Sequence, residues 1–197
     1  MKSWQAAAML GVAWASCACA RPKRDSGAAL ARERLVSWPS SIAYVSSDRA
    51  LAGLPGEIRF GGPLGRSALY LKFPSEWRTR GAPQRAFVTL SAREGSASPD
   101  LPVTLEAWRI SVDWQPRTLR RWSDKPSLAP PFARVRGSAS SVQDLRIDVT
   151  ELVRFAAQNP ERDFGIAIIA SGSEGPGETF SSGLDGGRAP RLELYLR

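Results

Sequence analysis

From Ser41 onward the chain is a succession of short runs in which every second residue is apolar, each run closed by a cluster of Gly, Pro or Ser. Alternate side chains of a strand point to opposite faces, so this period buries one face only when the chain is extended. Leu69, Leu71 and Phe73 show the pattern, as do Leu192, Leu194 and Leu196. Runs at 42–46, 57–60, 68–73, 85–92, 103–110, 145–149, 164–170, 178–181 and 191–196 read as strands. Breakers at 61–63, 95–102, 126–131 and 172–177 separate them.

One segment has a different period. Leu152, Val153, Phe155 and Ala156 recur at helical spacing, and Asp148 and Glu151 stand three apart as in a capping box. The spacing predicts a short helix over 148–157, stopped at Asn159 because Pro160 restricts the residue before it. About nine strands and one short helix predict an all-β fold, a jelly-roll β-sandwich.

Composition narrows the chemistry. The chain has no histidine, the favoured general base near neutral pH, and its two cysteines, Cys17 and Cys19, both lie near the N-terminus. The folded part therefore offers no thiol nucleophile, intradomain disulfide or His-ligated zinc site, and it reads as no enzyme. No cofactor is expected, though scattered aspartates leave room for a structural calcium ion. The net charge of +8 suits an anionic partner. Its arginines are spread among acids with no block of like charge, which points away from nucleic acid and towards an ordinary solvated surface.

The first residues read as an export signal. Met1 and Lys2 precede the largely apolar 6–20, and Arg21, Pro22, Lys23 and Arg24 close the segment. The run is too short to span a membrane, which takes about 20 apolar residues. Ala18-Cys19-Ala20 fits cleavage before Arg21, whereas Trp14-Ala15-Ser16-Cys17 resembles a bacterial lipobox with tryptophan in place of leucine. A cysteine here, in a chain otherwise lacking it, favours lipidation at Cys17, with Cys19 as the alternative. The expected division is a signal over 1–20, a charged, Ala-rich tether over 21–40 and a domain over 41–197, lipid-anchored at the cell envelope or extracellular.

Four stretches resemble the DNRLRE-domain family of secreted and surface jelly-roll modules. They are Ser67-Ala-Leu-Tyr-Leu-Lys-Phe73; 103–114 with 117–126, including Trp122; Ile147-Asp-Val-Thr-Glu-Leu-Val153 with Phe164-Gly-Ile-Ala-Ile168; and Phe180-Ser-Ser182 with Ala189-Pro-Arg-Leu192. Pro74 and Gly183 depart from positions where the family tends to be acidic. The resemblance implies a jelly roll used either as a carbohydrate-binding module or as a structural spacer.

Two functional expectations follow. In the first, Trp77, Trp114 and Trp122 form an exposed platform on which sugar rings stack, while Arg117, Arg120 and Arg121 meet the acidic groups of a polysaccharide or cell-envelope glycan. In the second, the tryptophans are core and the domain is a structural or assembly element of the cell surface without a small-molecule ligand. Trp108 reads as structural, although alternation places it opposite Leu105 and Ala107.

Overall fold

The chain divides into the units Met1–Leu30 and Ala31–Arg197. The computed structural model describes only the second, at residues 33–47, 53–61, 66–92, 103–137, 144–170, 177–184, 186 and 188–197. The signal segment, Cys17, Cys19 and most of the expected tether lie outside the described residues.

Eleven strands are described: β1 (Glu33–Ser37), β2 (Ser41–Ser46), β3 (Glu57–Phe60), β4 (Ser67–Lys72), β5 (Pro83–Leu90), β6 (Val103–Ile110), β7 (Leu128–Gly137), β8 (Leu145–Asp148), β9 (Ile166–Ala170), β10 (Glu178–Ser181) and β11 (Arg191–Leu196). Among the described residues one α-helix, α1 (Thr150–Gln158), follows β8. All strand pairs are antiparallel. They form a four-stranded sheet ordered β1-β11-β5-β8, a five-stranded sheet ordered β2-β4-β9-β6-β7 and a two-stranded ribbon β10-β3. The fold is an all-β sandwich, and the chain passes repeatedly from one sheet to the other between β2 and β11, the winding expected of a jelly roll.

The alternating leucines face inward. Leu192, Leu194 and Leu196 of β11 join Ala86, Val88 and Leu90 of β5 and Leu145 and Ile147 of β8. From the opposite sheet come Leu69 and Leu71 of β4, Leu105 and Ala107 of β6, and Ile166 and Ile168 of β9. Phe60 and Phe180 of the ribbon meet edge to face, 5.8 Å between ring centroids, and complete this core with Ile58. Helix α1 adds Leu152 and Val153. Its start corrects the expected capping box: Asp148 Oδ1 accepts bonds from the Thr150 N–H (3.0 Å) and hydroxyl (2.6 Å), while Glu151 instead pairs with Arg154 at 2.8 Å. Asn159 closes the helix, its backbone N–H and Nδ2 both donating to Phe155 O.

Two strands were not expected. β1 falls within the predicted tether, pairs with β11 from Glu33 opposite Leu196 to Ser37 opposite Leu192, and packs Leu35 against the core. β7 begins where Pro130 and Pro131 read as a breaker; proline is tolerated because β7 is an edge strand. A further departure concerns β4. One buried face was expected, yet all of Ser67–Leu71 is buried, because the outer face of the five-stranded sheet supports a second core. Ala43, Val45, Ala68, Tyr70, Ile110 and Ala167 lie there beneath Trp114 and Leu119.

Candidate functional site

The second core decides the fate of the expected tryptophan platform. An apolar outer sheet face needs a cover, and the segment 111–127 supplies it. Trp114 is only 6% exposed; its indole N–H donates to Phe164 O at 2.7 Å, and its ring lies 5.9 Å from that of Tyr70. Trp77 is 4% exposed in the main core, within the short 3-10 turn Glu76–Arg80. Neither ring can stack on a sugar. Trp122 is half-buried, with Lys125 Nζ 4.6 Å from its ring centroid.

Arg117, Arg120 and Arg121 are exposed, but local bonds hold them in the covering segment. Arg117 Nε donates to Gln115 Oε1 and Arg120 Nε to Arg117 O, while the backbone N–H groups of Arg120 and Arg121 donate to Asp124. The Arg121 N–H, with help from Arg120 and Ser123, holds the Asp124 carboxyl below the usual range. Arg117 and Arg120 do border a hollow with Tyr44 and Leu54, but its volume of about 180 Å³ is below the ~300 Å³ at which ligand clefts begin. The expected site residues therefore do not converge on one surface. Among the described residues no group of three or more acidic, Cys or His side chains stands ready to hold a metal ion.

A different surface brings aromatic and charged groups together: the outer face of β11, β5 and β8. Strand parity builds it. Ala86 and Val88 turn inward, so Phe87 turns outward; Leu194 and Leu196 do the same for Tyr195, and Leu145 and Ile147 for Arg146. Phe87 and Tyr195 meet edge to face, with centroids 6.0 Å apart and planes at 88°. The Arg146 guanidinium lies over Phe87, its Cζ 4.1 Å from the ring centroid, and donates through Nη2 to Tyr195 Oη at 3.2 Å. Arg146 keeps 42% of its side-chain surface in solvent. It borders a hollow of about 470 Å³ together with Gln84, Arg85, Phe87 and Tyr195.

A charge network lies behind the aromatics. Glu193 is buried; its Oε2 meets Arg146 at 3.0 Å and Arg34 at 3.3 Å, and its Oε1 meets Arg191 at 3.4 Å and the Thr89 hydroxyl at 3.1 Å. Arg191 also bonds Asp144 at 2.6 Å, with Arg188 at 3.8 Å. Four arginines thus serve two carboxylates, while exposed Arg85 makes no ion pair among the described residues. The face carries an excess of guanidinium groups, the shape that meets a carboxylate in two parallel bonds.

Asp144 gives this network a pH signature. Burial alone would raise its carboxyl, but Arg191, Ser91 and Arg188 outweigh that and hold it below its ordinary value. A carboxyl lowered by folding adds stability that is complete above its unfolded pKa of ~3.9 and is lost as pH falls through the lower folded value. Asp144→Asn should therefore lower Tm near neutral pH, and the gap to wild type should close as the pH is taken down through the acid limb. A gap independent of pH in thermal melts would show that the carboxylate charge contributes nothing.

Alternation in the sequence could have found Phe87 and Tyr195, since both are aromatics on the wrong parity of an otherwise buried strand. Nothing in the sequence shows that Arg146 lies over Phe87, because that needs the β5–β8 register, which sets Phe87 opposite Asp148 and Val88 opposite Ile147. No protein-family model matches the chain, and no curated protein matches it. The likeness to the DNRLRE-domain family has no support beyond the four stretches that carry it.

Proposed function

We propose that this sandwich is a non-catalytic module that binds an acidic glycan of the cell envelope across the outer face of β11, β5 and β8. The observation that carries the reading is Arg146, spread over Phe87 beside Tyr195 at the wall of an open hollow. A guanidinium fixed on an aromatic ring loses little further freedom on meeting a carboxylate, so the contact is preorganised. Arg85 supplies a second cation with no ion-pair partner among the described residues.

The carboxylates around the groove support binding over hydrolysis. Asp148 accepts from Thr150, Glu151 pairs with Arg154, and Glu193 and Asp144 are held by arginines. None is offered as a free acid or base to a bound chain. A signal and lipid on Cys17 or Cys19 would present the module at the envelope.

Retention of the full chain on an immobilised polyuronate tests the reading. One charge-assisted contact is worth about 1.5–3 kcal/mol, so Arg85→Ala and Arg146→Ala should each weaken retention about tenfold or more. Arg85 is the cleaner probe because it has no ion pair among the described residues to lose. Unchanged retention in both variants, or none by the wild-type chain, overturns the proposal and favours a structural domain.

A further inference from the structure

The stacked pair Phe132 and Trp108 lies beyond this charged face. Parity turns Ala133 and Val135 of β7 towards the core, so Phe132 and Arg134 turn outward opposite Trp108 and Glu106 of β6. Phe132 is 47% exposed, and its ring lies 4.3 Å from that of Trp108 with the planes only 14° apart. The Trp108 indole N–H donates to Glu106 Oε2 at 2.9 Å, and Arg134 grips Glu106 Oε1 through both Nε and Nη2. Each member is thus fixed by the next, and a large aromatic is held rigid in solvent where burial would ordinarily hide it.

Phe132 also borders a hollow of about 440 Å³ whose other walls include Phe87, Asp148, Glu151 and Arg154. That hollow shares Gln84, Arg85 and Phe87 with the one beneath Arg146. Each has a volume within the ~300–1,000 Å³ range of ligand clefts, and the three shared residues set them side by side, with carboxylates and guanidiniums at their rims. A protein partner would need about 800 Å² of surface on this chain, far more than one exposed aromatic pair presents. A flat ring edged by hydrogen-bonding groups fits the C–H face and hydroxyls of a pyranose.

We infer that Phe132, backed by Trp108, forms a second, stacking subsite, so that the domain recognises a run of linked sugars and not a single acidic one. The inference rests on the reading of the Arg85 and Arg146 face as a glycan site. Calorimetry of the full chain with uronate mono-, tri- and hexasaccharides tests it. Wild-type affinity should rise at least about tenfold from monomer to hexamer. Phe132→Ala should remove about threefold to tenfold of that gain, the range expected for an aromatic contact of about 0.5–1.5 kcal/mol, and leave monomer binding unchanged, with only the small drop in Tm expected for a half-exposed ring. Phe132→Trp should restore the gain.

Full length dependence in Phe132→Ala, or no length dependence in the wild-type chain, overturns the second subsite while the charged face stands. Binding unchanged in both Arg85→Ala and Arg146→Ala overturns the glycan reading itself and the subsite with it.

Discussion

Trp114→Ala is expected to lower the unfolding free energy by about 3–5 kcal/mol, the range for removing a buried tryptophan. For a domain of this size that is a drop in Tm on the order of 10 °C. The effect is large because Trp114 is a lid: it roofs Tyr70, closes the second core and donates to Phe164 O. Tyr70 supplies an independent readout. Its hydroxyl is buried with no hydrogen-bond partner among the described residues, and burial pushes its ionisation well above the ordinary phenol value. Opening the lid should let water reach that hydroxyl and bring its ionisation back towards ordinary, visible in an ultraviolet titration. Trp122→Ala, at a half-buried site, should cost about 1–2 kcal/mol. A Trp114→Ala variant within about 1 kcal/mol of wild type would mean that the segment 111–127 does not cover the sheet.

Gly165→Ala should be nearly as damaging, by at least about 3 kcal/mol, for a backbone reason. Gly165 has φ +101°, outside the range of L side chains, and an added Cβ would fall on Leu71 O in the neighbouring strand. That carbonyl belongs to the β4–β9 ladder, and Gly165 O itself accepts from Ile110 N at 3.1 Å, so neither side can yield without loosening the middle of the sheet. Gly186→Ala is the control. It shares a positive φ of +82° but has nothing within 4 Å of the added carbon, so its cost should be the conformational part alone, about 1–2 kcal/mol. Equal losses in chemical denaturation would show that the clash at Leu71 is relieved by relaxation.

The strands whose one face is apolar and whose ends are marked by Gly or Pro were legible in the sequence. Those at Glu57–Phe60, Val103–Ile110, Glu178–Ser181 and Arg191–Leu196 begin and end where the pattern does. The edge strands were not. β1 carries one inward leucine in a charged segment, and β7 offers only Ala133 and Val135 to the core after a pair of prolines, too little apolar contrast to mark a period. Trp114 stood open between platform and core, because local pattern shows which residues can be buried but not that a covering segment will be folded over the back of a sheet. Trp108 was the reverse case: its parity pointed outward, and the habit of placing tryptophan in a core obscured a half-exposed ring. The two adjoining hollows that meet at Phe87 draw Arg146, Tyr195 and Phe132 from three further strands, so only the register assembles them.

The position of β11 also governs when the protein can fold. It is the last of the described strands in chain order, yet it lies between β1 and β5, inside the four-stranded sheet, with β1 made some 160 positions earlier. Until it emerges, β1 has no neighbour in that sheet, β5 is paired only with β8, and Leu192, Leu194 and Leu196 are missing from the core. Vectorial synthesis thus cannot complete the sandwich from its N-terminal side, and closure waits for the latest strand to slot into the middle. Contacts so distant in sequence make folding slow, on a scale of about milliseconds to seconds.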